Sequence, residues 1–239
     1  MECNENGETA LHSGSDGLHR CDWQVQQQGP AHVTLACSLP DGHSGLPGKR
    51  EILVTYALDA AGLSVTITAT TDQKTPINIA HHPYWALEAD QTKTQLQINA
   101  DTYLPIDASG IPTGIIASVV HSAFDFRKLT VLGPSSKLDH NWCLGRIRSD
   151  VPKHAASLKA SDGLRVDIST TEVGLQVFTG SGLPKIEPKH CQGIGIKPNA
   201  GIAIEPQGWP DAPNHPDFPS IFLDQDETYH QITRYDISG

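Results

Sequence analysis

Alternation of apolar and polar residues is the feature of this sequence that most restricts how the chain can fold. Apolar side chains recur at every second position in residues 63–69, 94–99 and 164–169, and a period of two is typical of β-strands with one buried face. Further strand candidates lie at residues 51–58, 77–80, 174–179, 201–205 and 227–235. No segment of twelve or more residues carries an apolar stripe of helical period. The pattern therefore predicts an all-β protein built from antiparallel sheets.

Length and charge narrow the classes of protein to which the chain can belong. Its 239 residues suit one domain, since all-β domains often reach roughly 200–250 residues. With 17 basic and 27 acidic residues, the formal net charge is −10, which argues against nucleic acid because phosphate binding needs clustered Lys and Arg. No apolar run approaches the roughly 18 residues of a membrane helix. We predict a single domain over residues 1–239, a monomer without a nucleic-acid or membrane partner.

The cysteines indicate a reducing compartment. There are five, at positions 3, 21, 37, 143 and 191, and no two of them form a Cys-x-x-Cys pair. An odd number without close spacing indicates neither a disulfide framework nor a zinc knuckle. We therefore predict reduced thiols in a cytoplasmic protein.

Glu205 is the residue whose surroundings most strongly indicate chemistry. It ends the apolar strand predicted at residues 201–205, and five prolines follow between positions 206 and 219. Proline restricts the backbone, so this segment is expected to be extended and stiff. A carboxyl group at the end of an apolar strand loses hydration, which raises its pKa toward that of a useful general base.

Three other places combine polar residues with an otherwise regular pattern. His81 and His82 follow the strand predicted at residues 77–80, and because adjacent strand residues face opposite sides, only one of them is expected in a site. His12 enters a turn of small residues, and Asp139 opens the polar triplet 139–141. Each also fits a structural role: a histidine capping a strand edge, a surface loop, or a turn with an Asx hydrogen bond.

Seven short motifs, taken in order, resemble the aldose 1-epimerases, or galactose mutarotases. They include Leu-His-x-Gly from Leu11 and Glu-Pro-Gln-x-x-Pro-Asp-Ala-Pro-Asn from Glu205, and they lie at residues 4–23, 77–87, 103–114, 124–127, 138–144, 175–180 and 203–228. The resemblance implies an antiparallel β-supersandwich of the galactose mutarotase type. It also implies interconversion of the α and β anomers of a free aldohexose such as glucose or galactose, without a metal or a cofactor.

The same resemblance implies a role for five residues. Glu205 corresponds to the family's general base and His82 to its general acid. His12, Asp139 and Gln176 correspond to residues that bind the sugar. Among the aromatic residues, Trp85, Trp142 and Trp209 are candidates for stacking on its apolar face.

The chain departs from the family pattern mainly at its start. The family has several dozen residues before the Leu-His-x-Gly motif, including an arginine that binds the sugar, whereas ten residues precede Leu11 here. We expect the chain to lack that N-terminal segment, and no residue is assigned to the arginine. Loss of this charged contact lowers the activity expected of these 239 residues. His81 also stands where an asparagine is usual, which bears on substrate preference.

Three alternatives remain open at the level of the sequence. The first is a sugar-binding β-sandwich without catalytic activity. The second is a metal-dependent β-barrel enzyme that uses His81, His82 and His140, although no compact metal-ligand spacing is present. The third is a hexose-6-phosphate 1-epimerase, which would need a basic pocket for the phosphate group.

Overall fold

The computed structural model describes residues 2–5, 7, 9–187 and 195–239. Cys191, one of the five cysteines, lies outside the described residues. The strands are β1 (Gln24–Gly29), β2 (His32–Leu39), β3 (Arg50–Leu58), β4 (Gly62–Thr71), β5 (Thr75–Pro76), β6 (Tyr84–Trp85), β7 (Gln95–Ile98), β8 (Thr102–Leu104), β9 (Ala117–Ser118), β10 (Thr130–Val131), β11 (Asp139–Cys143), β12 (Lys153–Lys159), β13 (Arg165–Thr170), β14 (Gly174–Phe178), β15 (Ile202–Gln207), β16 (Phe222–Leu223) and β17 (Tyr229–Ser238). Short 3-10 turns lie at Gly14–Asp16, Leu18–Arg20, His43–Gly45, Gln91–Lys93 and Ala212–Asn214.

The chain divides into two compact units. The first comprises Met1–Asn78 and Ile221–Ile232, and the second comprises Ile79–Ser220 and Thr233–Gly239. Strand β17 begins in the first unit and continues in the second. The expected single domain over residues 1–239 stays a prediction.

The first unit is built around a meander of β1, β2, β3 and β4, in which each strand pairs antiparallel with the next. All nine residues of β3 pair with residues of β4. Ile52 and Val54 of β3, and Val65 and Ile67 of β4, are buried while their neighbours along the strand are more exposed. The alternation of the sequence therefore becomes one buried face, and burial of that face stabilises the meander. The short strands β5 and β16 also pair in this unit.

The second unit contains two sets of antiparallel strands. In the first set, residues Thr233–Ser238 of β17 pair with β13, followed by β12, β7 and β10. In the second set, the order is β6-β15-β14-β11-β8-β9. Completely buried side chains are concentrated in the central strands, and they include Leu96, Leu158, Ile168, Leu175, Val177, Ile202 and Ile204. The second set carries most of the residues singled out in the sequence.

The sequence predictions for the fold are mostly confirmed. The described residues contain no α-helix, the pairings are antiparallel, and the regular alternations correspond to β4, β7 and β13. The triplet 139–141, which also fitted a turn, forms the start of strand β11. No helix in the part of the chain that the structure describes is long and apolar enough to cross a membrane.

The strand predicted at residues 77–80 is wrong. These residues lie outside the strands, although Ile77 donates its N–H to the carbonyl of Ile221. Ile77 and Ile79 are buried while Asn78 and Ala80 are less so. The apolar side chains of this segment therefore alternate because every second one is buried. Such burial does not require that the segment form a strand.

Gly174 in β14 provides a test of how tightly the second unit is packed. A methyl group on Gly174 would lie 2.6 Å from the Asn141 Oδ1 and 2.9 Å from the Gln207 carbonyl oxygen. We predict that Gly174→Ala destabilises the protein by about 1–3 kcal/mol, since overpacking forces neighbouring groups to move. Gly145→Ala is the control, because the added methyl group would meet only Ile147 O, at 3.8 Å. Thermal unfolding of both variants checks this, and equal melting temperatures would contradict it.

Candidate active site

The pairing of three strands places polar side chains in a row across the sheet. Glu205 of β15 lies directly opposite Gln176 of β14, which lies directly opposite Asn141 of β11. Directly paired residues of antiparallel strands project from the same face. Asp139 projects from this face as well, because it lies two residues before Asn141. The register of β11, β14 and β15 therefore brings together residues that are far apart in the sequence.

His82 extends this row by one strand. Tyr84 of β6 pairs with Ala203 of β15, so continuing the same antiparallel register places His82 opposite Glu205. The ladder itself ends at Tyr84, because the intervening Pro83 has no N–H to donate. The His82 Nε2 lies 3.4 Å from the Glu205 Oε1. The imidazole and the carboxyl group are therefore close enough to exchange or share a proton.

The Glu205 carboxyl group is buried, with a side chain that is only 7% exposed. Its pKa is raised from 4.5 to about 8, first by loss of hydration and then by the negative charge of Asp139. The higher pKa that the sequence predicted for a carboxyl group at this position is thus present in the folded protein. A carboxyl group with this pKa can accept and release a proton near neutral pH.

Asp139 and Gln176 form a polar pair beside Glu205. The Gln176 Nε2 donates a hydrogen bond of 2.8 Å to the Asp139 Oδ1. Among the described residues, none donates a hydrogen bond to the buried Gln176 Oε1 or to the buried Asn141 Oδ1. Buried acceptors without a donor are costly and are often found where a ligand or water binds. This part of the face can therefore still accept hydrogen bonds from hydroxyl groups.

His81 projects away from this row. Its Nδ1 lies 3.1 Å from the Tyr235 hydroxyl, and the rings of His81 and Trp85 both contact the Tyr235 ring. The pKa of His81 is lowered, mainly by burial and also by His82. The two adjacent histidines thus have different surroundings, as alternation predicted, and only His82 contacts Glu205.

His12 lies in the first unit, whereas the other four residues implied by the resemblance lie in the second. His12 and Ser13 have φ angles of 53° and 64°, and Gly14 has a φ angle of 75°. Left-handed conformations are unfavourable for residues other than glycine and are concentrated at functional sites. This local geometry agrees with the turn that the sequence predicted around His12.

The tryptophans proposed for sugar stacking are not exposed on this face. Trp142 and Trp209 are 0% and 1% exposed, and Trp85 projects to the opposite face, against Tyr235. His140 also projects to the opposite face, where its ring packs on Phe124. Among the described residues, no three His, Cys, Asp or Glu side chains are grouped as a metal site would require.

The sequence of this chain is similar to those of known proteins. A sequence model described as aldose 1-epimerase matches residues 1–236. The chain is a member of the aldose 1-epimerase family. It is 36% identical to a galactose mutarotase of Rattus norvegicus, over 96% of this chain and 69% of that protein. It is 33% identical to an aldose 1-epimerase of Escherichia coli K12, over 96% of this chain and 70% of that protein.

Solved structures of the aldose 1-epimerase family share the fold. A GalM/aldose epimerase homologue from C. elegans superposes with a TM-score of 0.89 and 27% identity, over 100% of this chain and 74% of that one. A galactose 1-epimerase from Lactobacillus acidophilus gives a TM-score of 0.78 and 27% identity, over 95% of this chain and 69% of that one. The predicted family and the predicted galactose mutarotase type of β-supersandwich are therefore confirmed.

Two residues lie on the sheet face that carries Glu205 but were not among the site residues predicted from the sequence. Asn141 completes the row through Gln176, and Tyr84 is opposite Ala203. Parity along the strands could have found both, because Asn141 is two residues after Asp139 and Tyr84 is two residues after His82. That signal becomes usable only when the strand register is known.

The raised pKa of Glu205 predicts an effect on stability. The folded protein binds this proton more tightly than the unfolded chain, in which the carboxyl group has a pKa near 4.5. Stability should therefore fall as the pH rises from about 4.5 to about 8. Glu205→Gln removes this titration, so its melting temperature should exceed that of the unmodified protein, and the difference should be largest at pH 8–9. Each kcal/mol of difference in the free energy of unfolding corresponds to about 2–4 °C in melting temperature.

Thermal unfolding between pH 4 and pH 9 measures this effect. The exposed Glu187 provides a matched control, since Glu187→Gln also removes one charge. The expected stabilisation shrinks toward pH 4 in Glu205→Gln and is absent in Glu187→Gln. A difference in melting temperature that does not change with pH would contradict a raised pKa at Glu205.

Proposed function

We propose that this protein is an aldose 1-epimerase that interconverts the α and β anomers of free aldohexoses such as galactose and glucose. The observation that carries the proposal is the contact between His82 and the buried Glu205, in a chain that belongs to the aldose 1-epimerase family. The names of its relatives, galactose mutarotase and aldose 1-epimerase, support the same reaction.

The reaction needs one proton removed and one proton delivered. Glu205 takes the proton of the anomeric hydroxyl group while His82 donates a proton to the ring oxygen. The bond between C1 and the ring oxygen breaks, and a free aldehyde forms. The aldehyde rotates about its bond to C2, and the ring closes on the other face of the carbonyl group. On closure the two residues exchange roles, so both return to their starting protonation states.

The distance between His82 and Glu205 suits these two transfers. The anomeric hydroxyl group and the ring oxygen are bonded to the same carbon, so the base and the acid must act within a small volume. Because Glu205 has a pKa of about 8, its carboxyl group can hold a proton in neutral solution. The reactive form places that proton on His82 and leaves Glu205 as the carboxylate, and such pairs titrate as a unit.

Asp139, Gln176 and His12 are proposed to hold the remaining hydroxyl groups of the sugar. The Asp139 carboxylate and the Gln176 Oε1 both offer acceptors on the face that carries Glu205. The assignment of His12 rests on the resemblance and on its left-handed turn. Each hydrogen bond to a charged group contributes about 1.5–3 kcal/mol, so Asp139 should contribute most of this binding energy.

The competing functions have less support. A sugar-binding module without catalysis would not need a buried carboxyl group with a raised pKa beside an imidazole. A hexose-6-phosphate 1-epimerase would require a basic pocket, whereas Asp139 adds negative charge near Glu205. We also propose a monomer in the cytoplasm, which agrees with the free thiols of Cys3, Cys21, Cys37 and Cys143.

The first test is substitution of the acid and the base. Glu205→Gln and His82→Asn should each lower the rate of anomer conversion by about 10²-fold or more, the usual contribution of a placed acid or base. His81→Asn is the matched control and should keep its activity, because His81 contacts Tyr235 and not Glu205. Polarimetry of freshly dissolved α-D-galactose and α-D-glucose, corrected for spontaneous mutarotation, measures all four proteins.

The same experiment separates three kinds of failure. Full activity of Glu205→Gln would remove Glu205 from its role as the base. Loss of activity in His81→Asn together with activity in His82→Asn would reverse the two histidines. If the unmodified chain does not accelerate conversion at any protein concentration, the proposed function is wrong.

The second test is the pH dependence of conversion. With a pKa of about 8, Glu205 loses its proton above that value, and the reactive form needs that proton on His82, so kcat/KM should fall as the pH rises through it. Asp139→Asn removes a negative charge that raises this pKa, so the falling limb should move to lower pH. A limb that stays in place in Asp139→Asn would show that Asp139 does not influence the pair.

A further inference from the structure

The turn that carries His12 has an unfavourable backbone conformation. His12, Ser13 and Gly14 are consecutive residues with positive φ angles, and two of the three are not glycine. Such conformations persist only where surrounding contacts hold them. The Gly14 N–H donates to the Leu11 carbonyl oxygen at 3.0 Å, which closes the start of the turn. The far end, where the 3-10 turn Gly14–Asp16 finishes, must be held by contacts from elsewhere.

The far end of this turn is held by the loop that connects β2 and β3. The His43 Nε2 lies 2.8 Å from the Asp16 carbonyl oxygen, and because a carbonyl oxygen can only accept, the imidazole is the donor. The Ser44 hydroxyl donates to the same oxygen over 3.3 Å. The Cys21 thiol, 3.7 Å from this oxygen, is a weak donor. His43 therefore provides the shortest of these three contacts.

The position of His43 is fixed in turn by a buried guanidinium group. Arg50, the first residue of β3, is 1% exposed. Its Nη1 and Nη2 donate, at 3.0–3.4 Å, to four carbonyl oxygens of the loop, those of Pro40, His43, Leu46 and Pro47. A planar guanidinium group presents its donors in a fixed geometry, so these contacts restrict the loop backbone. The His43 imidazole thus reaches the turn from a restrained loop.

We propose that His43 is a positioning residue that holds the turn of His12 in the conformation that binds the sugar. This inference rests on the proposed function, in which His12 holds a hydroxyl group that does not react. The proposed acid and base, His82 and Glu205, lie in the second unit, whereas His43 and His12 lie in the first. A contact with a hydroxyl group that does not react is equally strong in the ground state and in the transition state. Loss of His43 should therefore raise KM and leave kcat unchanged.

Substitutions of His43 that remove or keep the donor test this inference by polarimetry of α-D-galactose. His43→Ala should raise KM about twofold to tenfold, the usual effect of one hydrogen bond on affinity, with kcat changed less than twofold. His43→Gln should restore most of the affinity, because a glutamine amide can place its nitrogen near the position of Nε2. In His43→Asn the amide lies too close to the backbone to do so, and this variant should resemble His43→Ala. His230→Ala is the control, since His230 is exposed and belongs to the first unit, and it should leave KM and kcat unchanged.

A double-mutant cycle shows whether His43 acts through His12. His12→Ala should raise KM at least as much as His43→Ala does, because the proposed effect of His43 passes through His12. When His12 is already alanine, the further substitution His43→Ala should leave KM unchanged. A merely structural role of His43 would raise KM by the same factor in both backgrounds.

Hydrogen exchange measures the turn without relying on catalysis. In His43→Ala, the backbone amides of residues 11–20 should exchange faster than in the unmodified protein, because the turn opens more often. His43→Gln should restore the original rates, and His230→Ala should not change them. Melting temperatures show that each variant is folded. If His43→Ala does not fold, the comparison of His43→Gln with His43→Asn carries the same test.

The outcomes distinguish this inference from the proposed function. Unchanged exchange or unchanged KM in His43→Ala overturns the inference, while anomer conversion by the unmodified chain stays established. Equal increases in KM with and without the His12 imidazole also overturn it, because His43 would then affect binding by another route. A chain that neither binds nor converts D-galactose would overturn both.

Discussion

The contact between the His82 imidazole and the buried Glu205 carboxyl group is the interaction on which the site depends. At 3.4 Å the two groups are close enough to exchange a proton, and removal of water raises the pKa of Glu205 to about 8. The contact exists only because β6 lies against β15 in a register that places His82 opposite Glu205. The catalytic chemistry proposed for this site therefore depends on backbone pairing, which holds a carboxyl group where it is poorly hydrated.

The alternation of apolar and polar residues predicted strands that have one buried face. It did not predict strands in which the buried residues follow another pattern. β4 and β13 alternate because one face of each is buried. β1 carries glutamines and is exposed along almost its whole length, so it has no apolar period to detect. β11 reads as polar because Asp139 and Asn141 face the candidate site and not an apolar core. β1 and β11 were thus missed because neither carries an apolar side chain at every second position.

The candidate site divides into residues that local sequence can indicate and residues that it cannot. Glu205 was indicated by a carboxyl group at the end of an apolar strand, and its burial and raised pKa agree with that reasoning. The local pattern also singled out Asp139, whereas Gln176 was assigned by resemblance alone, and nothing in the neighbours of either residue along the chain connects the two. Their hydrogen bond depends on the pairing of β11 with β14, which is a long-range interaction. The roles assigned to these residues stay predictions.

The rows across the sheet also determine where the length of the chain can change. Asp139, Gln176 and Glu205 are distant in sequence, yet their spacing in the structure is set by hydrogen bonds between strands. Insertions in the segments that connect these strands leave that register intact, because connecting segments tolerate changes in length. One residue inserted within β14 ahead of Gln176 would turn its side chain to the opposite face. Evolution can therefore lengthen the connections of this protein freely, while the strands beneath the site must keep their residue count.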